Sequence, residues 1–193
     1  MPGPNGRTET RGTAPPAVLD SYEAERRPVS AELLERTTRI LGEDRKNTAT
    51  GFSRRGGDAH QFDLHYRHGP LTAERRGSVP GGGPRAGDRA PDAPCADPAG
   101  SPVRLFDVFR GSHFTLLAFG GGPLPGLSGD SVRVCRIGRP GAGPEAADLT
   151  DSAGHAHTAY AGEGLFLVRP DGYIGLATRD PAEVTAYLSW EHL

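Results

Sequence analysis

Two apolar runs, residues 164–169 and 173–178, flank Pro170-Asp171-Gly172. An Asp-Gly pair between apolar stretches is a strong hairpin signal, because both residues tolerate the left-handed backbone of a tight turn. A lone hairpin is marginal in water and needs further strands or helices against its apolar faces. Residues 114–119, Phe-Thr-Leu-Leu-Ala-Phe, form a continuous apolar run of strand length, suited to a sheet strand covered on both faces. Residues 132–137, with Val132 and Val134, read as another strand. Pro181 opens a last helix with Val184, Tyr187, Leu188 and Trp190 as its apolar positions. A short helix is expected around 152–160, and Leu105, Phe106, Val108 and Phe109 make an apolar patch, helix or strand. From Val103 onward the order strand, strand, hairpin, helix predicts a compact α/β unit, a central sheet with flanking helices.

The first half of the chain reads differently. Residues 1–16 are polar and rich in Pro and Gly, a flexible tail. Val18, Leu19, Tyr22, Val29, Leu33, Leu34, Thr37, Ile40 and Leu41 recur at helical spacing and predict an amphipathic helix over 17–41. Pro28 should kink it or split it into 17–26 and 28–41. Residues 43–59 are polar without a period. Phe62, Leu64 and Tyr66 alternate with polar neighbours over 61–67, the pattern of a short half-buried strand. Residues 77–102 are dense in Gly and Pro and read as a linker. The organisation expected is thus a tail (1–16), a helix-and-strand segment (17–76), a linker (77–102) and the α/β unit (103–193).

Charge and composition exclude several functions. With 22 basic and 24 acidic residues the chain has no basic excess to meet a nucleic acid. It has no apolar run of membrane-spanning length and no signal-peptide core near Met1, so a cytoplasmic protein is expected. Two cysteines 40 positions apart, Cys95 and Cys135, make neither a CxxC nor a zinc spacing.

Specific chemistry is equally hard to place. Gly120-Gly121-Gly122 follows a predicted strand, but Pro123 and Pro125 break the helix that a phosphate cradle requires. Lys46, the only lysine, has no Walker motif before it. His60, Asp63, His65 and His68, and the group Asp151, His155 and His157, are too sparse for a metal site and read as surface histidines. No GxSxG elbow is present. Cys135 sits in a strand as a small buried hydrophobe, whereas Cys95 is expected at the surface of the Pro-rich stretch with no basic neighbour. Asp20/Glu23 and Glu145/Asp148 are carboxylate pairs of an ordinary kind. The residues alone give no catalytic, cofactor-binding or metal site.

Several blocks nevertheless resemble one family. Val18-Leu19-Asp20-Ser21-Tyr22-Glu23-Ala24-Glu25-Arg26-Arg27-Pro28-Val29 is similar to the L-(L/V)-D-(S/T)-Y-x-x-E-R-(R/H)-P-V segment of FAD-dependent aromatic hydroxylases, the phenol and pentachlorophenol monooxygenase-like flavoproteins, which include enzymes acting on aromatic polyketides. The stretch 61–71, Pro84 to Ala93, Arg104 to Leu117, and Leu167-Val168-Arg169-Pro170-Asp171-Gly172-Tyr173-Ile174-Gly175 resemble later blocks of that family in the same order.

The resemblance implies the C-terminal part of such an enzyme: an amphipathic helix left over from the flavin hydroxylase core, then a thioredoxin-like domain. The family's Gly-rich turn for FAD and its G-D-A-A-H-type motif have no counterpart here. FAD and NAD(P)H are therefore implied for full-length relatives, and none is expected to bind this chain alone. The thioredoxin-like domain lacks CxxC, and the helix after its first strand, over residues 120–129, looks shortened or lost. The implied partner is a missing N-terminal flavin domain or a second copy of the chain. Glu25, Arg26 and Arg27 are expected to pin their helix to the missing core by ion pairs, since the guanidinium fork suits interface pairing. A different expectation is a stand-alone, non-catalytic thioredoxin-like module for interaction or dimerisation.

Overall fold

The computed structural model describes residues 23–25, 27, 30–31, 34, 38, 64–79, 82–127, 131–139 and 147–189. The expected tail (1–16), the polar stretch 43–59, Phe62 and Trp190 lie outside them.

Among the described residues the apolar runs build one mixed sheet of eight strands. They are β1 (Ala73–Glu74), β2 (Pro94–Ala96), β3 (Pro102–Arg104), β4 (Phe114–Phe119), β5 (Val132–Gly138), β6 (Leu149–Thr150), β7 (Gly164–Val168) and β8 (Ile174–Thr178). Their order across the sheet is β1-β8-β7-β4-β5-β6-β2-β3. β4 pairs parallel with β5 and antiparallel with β7, and β7 turns through residues 169–173 into antiparallel β8. This is the α/β sheet with flanking helices that the sequence predicts.

β4 shows why its run is apolar throughout. Successive side chains of a strand face opposite sides. Leu116 joins a cluster with Leu165, Leu167, Leu176 and Val184 on one face. Leu117 and Phe119 join Cys135, Ile137, Phe166, Val168 and Tyr160 on the other. Each such side chain taken fully from water contributes about 1.5–3 kcal/mol.

Within the described residues 64–189, three short helices flank the sheet: α1 (Leu105–Val108), α2 (His155–Ala159) and α3 (Pro181–Leu188). In α3, Pro181 stands in the first turn and the Asp180 side chain accepts a hydrogen bond from the Ala182 amide at 2.9 Å, closing an otherwise open helix start. The described residues of the predicted helix over 17–41 are all helical. Between β4 and β5, residues 120–127 contain no helix, and Leu124 and Leu127 pack against the sheet in its place.

Three expectations need correction. Residues 77–102 are not a linker over their described length: they supply β2 and the start of β3, and they bury Ala86, Ala90, Ala93 and Cys95. Small side chains let this Gly/Pro-rich backbone lie close on the core, so low apolar content hid the packing. Residues 64–67 are not a strand; the Tyr66 amide donates to the Gly87 carbonyl at 2.7 Å, and Tyr66 turns its ring onto Tyr173 with centroids 4.6 Å apart. Cys95 is buried on β2 rather than exposed.

Candidate functional site

The most densely built polar constellation centres on Arg169, at the end of β7. Its Nη1 and Nη2 donate to Glu25 Oε1 and Oε2 at 2.7 and 2.8 Å, a bidentate pair across 144 positions of sequence. Nη2 also donates to Asp171 Oδ2 at 2.7 Å, and Nε to Asp171 Oδ1 at 3.3 Å. The Arg169 and Glu25 side chains are 3% and 4% exposed, so this pair is removed from water. Burial opposes the guanidinium charge, but Asp171 and Glu25 outweigh it and hold Arg169 above the usual arginine range.

The surroundings explain how a charge fits there. The Arg169 guanidinium lies 5.8 Å from the Tyr66 ring centre. A side chain at Gly69 would begin 2.8 Å from Glu25 Oε1, and one at Gly175 would begin 2.4 Å from the Tyr187 hydroxyl and 3.1 Å from Arg169 Cγ. Both glycines therefore make room for polar groups of other segments. The Tyr187 hydroxyl donates to the Leu71 carbonyl at 2.8 Å, tying α3 to the segment before β1, and burial pushes its phenol up. The constellation joins a helical residue near the N-terminus, the hairpin turn and the last helix. It presents no nucleophile and no available base, and its chemistry is that of a structural junction.

The expected role of Glu25 is corrected here. Its carboxylate meets Arg169 of the same chain instead of a core supplied from elsewhere. Among the described residues Arg27 makes an exposed pair with Glu23 at 3.4 Å, one helical turn away, and Arg26 lies outside the described residues.

A second polar group lies beside α2. Asp151 Oδ2 accepts from both the amide and Nδ1 of His157, each at 2.8 Å. Burial pushes the Asp151 carboxyl up, but these two donors and the Ala156 amide outweigh it and leave it below the usual carboxylate range. Because a carboxylate only accepts, the His157 proton sits on Nδ1. The imidazole stands edge-on to Phe119, centroids 5.3 Å apart. Asp151 also bears on Cys95: burial first, then the charges of Asp151 and Asp92, push that thiol up to about 11. Burial and Asp148 push Cys135 up to about 12. Burial and nearby carboxylates thus favour the protonated form of both thiols near neutral pH, the opposite of an activated cysteine.

The remaining candidates stay apart. His65, His68 and His155 are exposed, and no group of three or more His, Cys, Asp or Glu placed to hold a metal occurs among the described residues. Asp148 accepts from the Arg136 amide at 2.7 Å. Asp20, Lys46, His60, Asp63 and Glu145 lie outside the described residues. A cavity of about 250 Å³ opens between the segment Pro70–Arg75 and α3, with Leu176 at its floor and Arg75 and Glu183 among its walls. Sequence reading missed the Arg169 junction. Its two halves lie in separate blocks, and a charge in each is no clue to the other.

A family model of the C-terminal region of aromatic-ring hydroxylases matches residues 83–190. A flavin-dependent monooxygenase of Mycobacteroides abscessus is 38% identical over 179 residues, spanning 91% of this chain and 31% of that protein. A 12-dehydrotetracycline 5-monooxygenase/anhydrotetracycline 6-monooxygenase of Streptomyces rimosus is 31% identical over 179 residues, spanning 84% of this chain and 31% of that protein. The chain thus spans about a third of the length of the curated relatives it matches. Among solved structures, aklavinone-11 hydroxylase, in complex with FAD and aklavinone, aligns at a TM-score of 0.64 and 22% identity, over 95% of this chain and 37% of that one. The flavin-dependent monooxygenase PieE aligns at 0.65 and 20%, over 97% and 42%. At these identities the structures speak to the fold alone.

Proposed function

Because the chain belongs to the aromatic-ring hydroxylase C-terminal family, we propose that it serves as the C-terminal part of a FAD-dependent monooxygenase that hydroxylates an aromatic substrate, of phenol or aromatic polyketide type, with NAD(P)H and O2. The observation that carries this reading is the 38% identity to a flavin-dependent monooxygenase over 91% of the chain. In such enzymes the flavin supplies the redox chemistry, and protein groups position it.

The described residues do not fit FAD. The run Gly120–Gly122 leads into Pro123 with no helix start through residue 127, so no set of helix-end amides faces a phosphate there. The 250 Å³ cavity falls below the roughly 300–1,000 Å³ of ordinary small-molecule sites. In this reading no reaction step runs through these residues, and their part is to hold the last helix of the flavin core through Arg169. We read the unit as thioredoxin-like without redox chemistry, a reading supported by the strand order β5-β4-β7-β8 with α3 and by the glycines that follow β4 where a CxxC pair would be needed. We place the protein in the cytoplasm with an N-terminal flavin domain as partner. No helix among the described residues is long and apolar enough to cross a membrane.

Two measurements test the reading. An antibody against residues 103–193 should detect a native polypeptide far above 20 kDa in source cells, and FAD titrated into the purified 20.3 kDa chain should show no saturable fluorescence change. A single native species at 20 kDa overturns the proposal. It would favour a stand-alone thioredoxin-like interaction module, a reading supported by the way Glu25 finds its counter-charge within the chain.

A further inference from the structure

We propose that Arg169 is a recognition socket that selects one placement of the N-terminal helical segment on the sheet unit, with the Glu25 carboxylate as the group it reads. The inference is independent of the flavin reading and stands for a short chain as well as for part of a long one. Three observations carry it. Glu25 is buried, whereas the other described helical residues of that segment, Glu23, Ala24, Arg27, Ser30, Ala31, Leu34 and Thr38, are exposed. Both Glu25 oxygens are taken by one guanidinium fork, a geometry that fixes direction as well as distance. Gly69 lets Glu25 reach that fork, since a side chain there would begin 2.8 Å from Glu25 Oε1.

A desolvated pair of this kind is weak evidence for stability, because apolar replacements of similar size serve as well or better; its attested use is to fix register. Shifting the helix by one residue would bring Ala24 or Arg26 to the fork, and neither offers a carboxylate. Arg169 keeps Asp171 as a partner when Glu25 is withdrawn, so the hairpin turn does not depend on the helix. The socket thus sets position, and apolar packing sets how firmly the unit holds together.

Spin labels on the full chain at Ser30→Cys and Ser101→Cys, both exposed positions, read the placement, with Cys95 and Cys135 shielded by burial. The wild-type background should give one narrow distance. Glu25→Gln should lose it to a broad distribution while the thermal transition of the sheet unit stays in place. The apolar pair Glu25→Leu/Arg169→Met should also give the broad distribution with the unit folded. An unchanged narrow distance in both variants overturns the proposal, because packing alone would then set the register. A distance between chains labelled singly at Ser30→Cys and at Ser101→Cys, mixed together, overturns it too, since the socket would then read a second copy.

Discussion

Asp151 holds His157 at two points, its Oδ2 accepting both the backbone amide and the imidazole Nδ1 at 2.8 Å. The carboxylate precedes α2 and fixes the ring that leans on Phe119, so it couples the start of a five-residue helix to the core. Asp151→Asn removes the charge and one good acceptor geometry from a buried site. Destabilisation of about 1–3 kcal/mol at pH 7 is expected in urea unfolding. The folded carboxyl lies below its usual range, so its contribution is complete above the unfolded value of about 3.9 and is lost as pH falls through the folded value. The gap between wild type and Asp151→Asn should therefore be constant above about pH 5 and shrink in acid.

Gly175 faces the Tyr187 hydroxyl so closely that a methyl group would stand 2.4 Å from it. Gly175→Ala should cost about 1–3 kcal/mol through forced movement of α3. Tyr187→Phe removes the bond to the Leu71 carbonyl and should cost about 1 kcal/mol. In the double variant the costs should fall short of additive, because the atom that clashes is gone; chemical denaturation of all four forms measures this.

Arg76 is buried and forked onto Glu74, with Nε and Nη2 donating to its two oxygens at 2.8 Å, a further bond to the Pro84 carbonyl, and its guanidinium 4.8 Å from the Phe166 ring centre. Lysine cannot reproduce the fork or the flat stacking. Arg76→Lys should lower the thermal midpoint and raise amide exchange at Ala86, whose N–H donates to Glu74 Oε2.

Cys95 and Cys135 should resist thiol reagents in the folded protein at pH 8, since burial pushes them up to about 11 and about 12. Their labelling by a disulfide reagent should follow the unfolding rate and accelerate sharply in denaturant. Rapid labelling of Cys95 in native buffer would contradict its place on β2.

The sheet was legible because its signals are local. The run at 114–119, the Pro170-Asp171-Gly172 turn and Pro181 each announce an element from neighbouring residues, and the described strands and α3 follow them closely. The stretch 77–102 was not legible. Its burial rests on alanines and glycines, which carry little hydropathy signal, and on pairings such as Arg89 with Tyr173 that join distant positions. Tyr66 and Leu64 alternate like strand residues, but the Tyr66 backbone bonds to the turn residues Gly69 and Thr72 and to Gly87 rather than to a strand. The Arg169 junction needed two blocks to be folded together before either charge had meaning.

The strand order carries a lesson about where this chain can be cut. β1 guards one margin of the sheet and the β2–β3 pair guards the other, and the same short stretch, residues 73–104, supplies both. A protein trimmed to begin at Val103 would keep most of the core yet lose both guards, leaving β8 and β6 with open hydrogen-bonding rims of the kind that seed intermolecular strand pairing. On the ribosome the guards emerge first but must wait for β6 and β8 before they have anything to cover. The order of synthesis runs against the order of assembly, and β1 stays without its partner until the last strand, β8, is out.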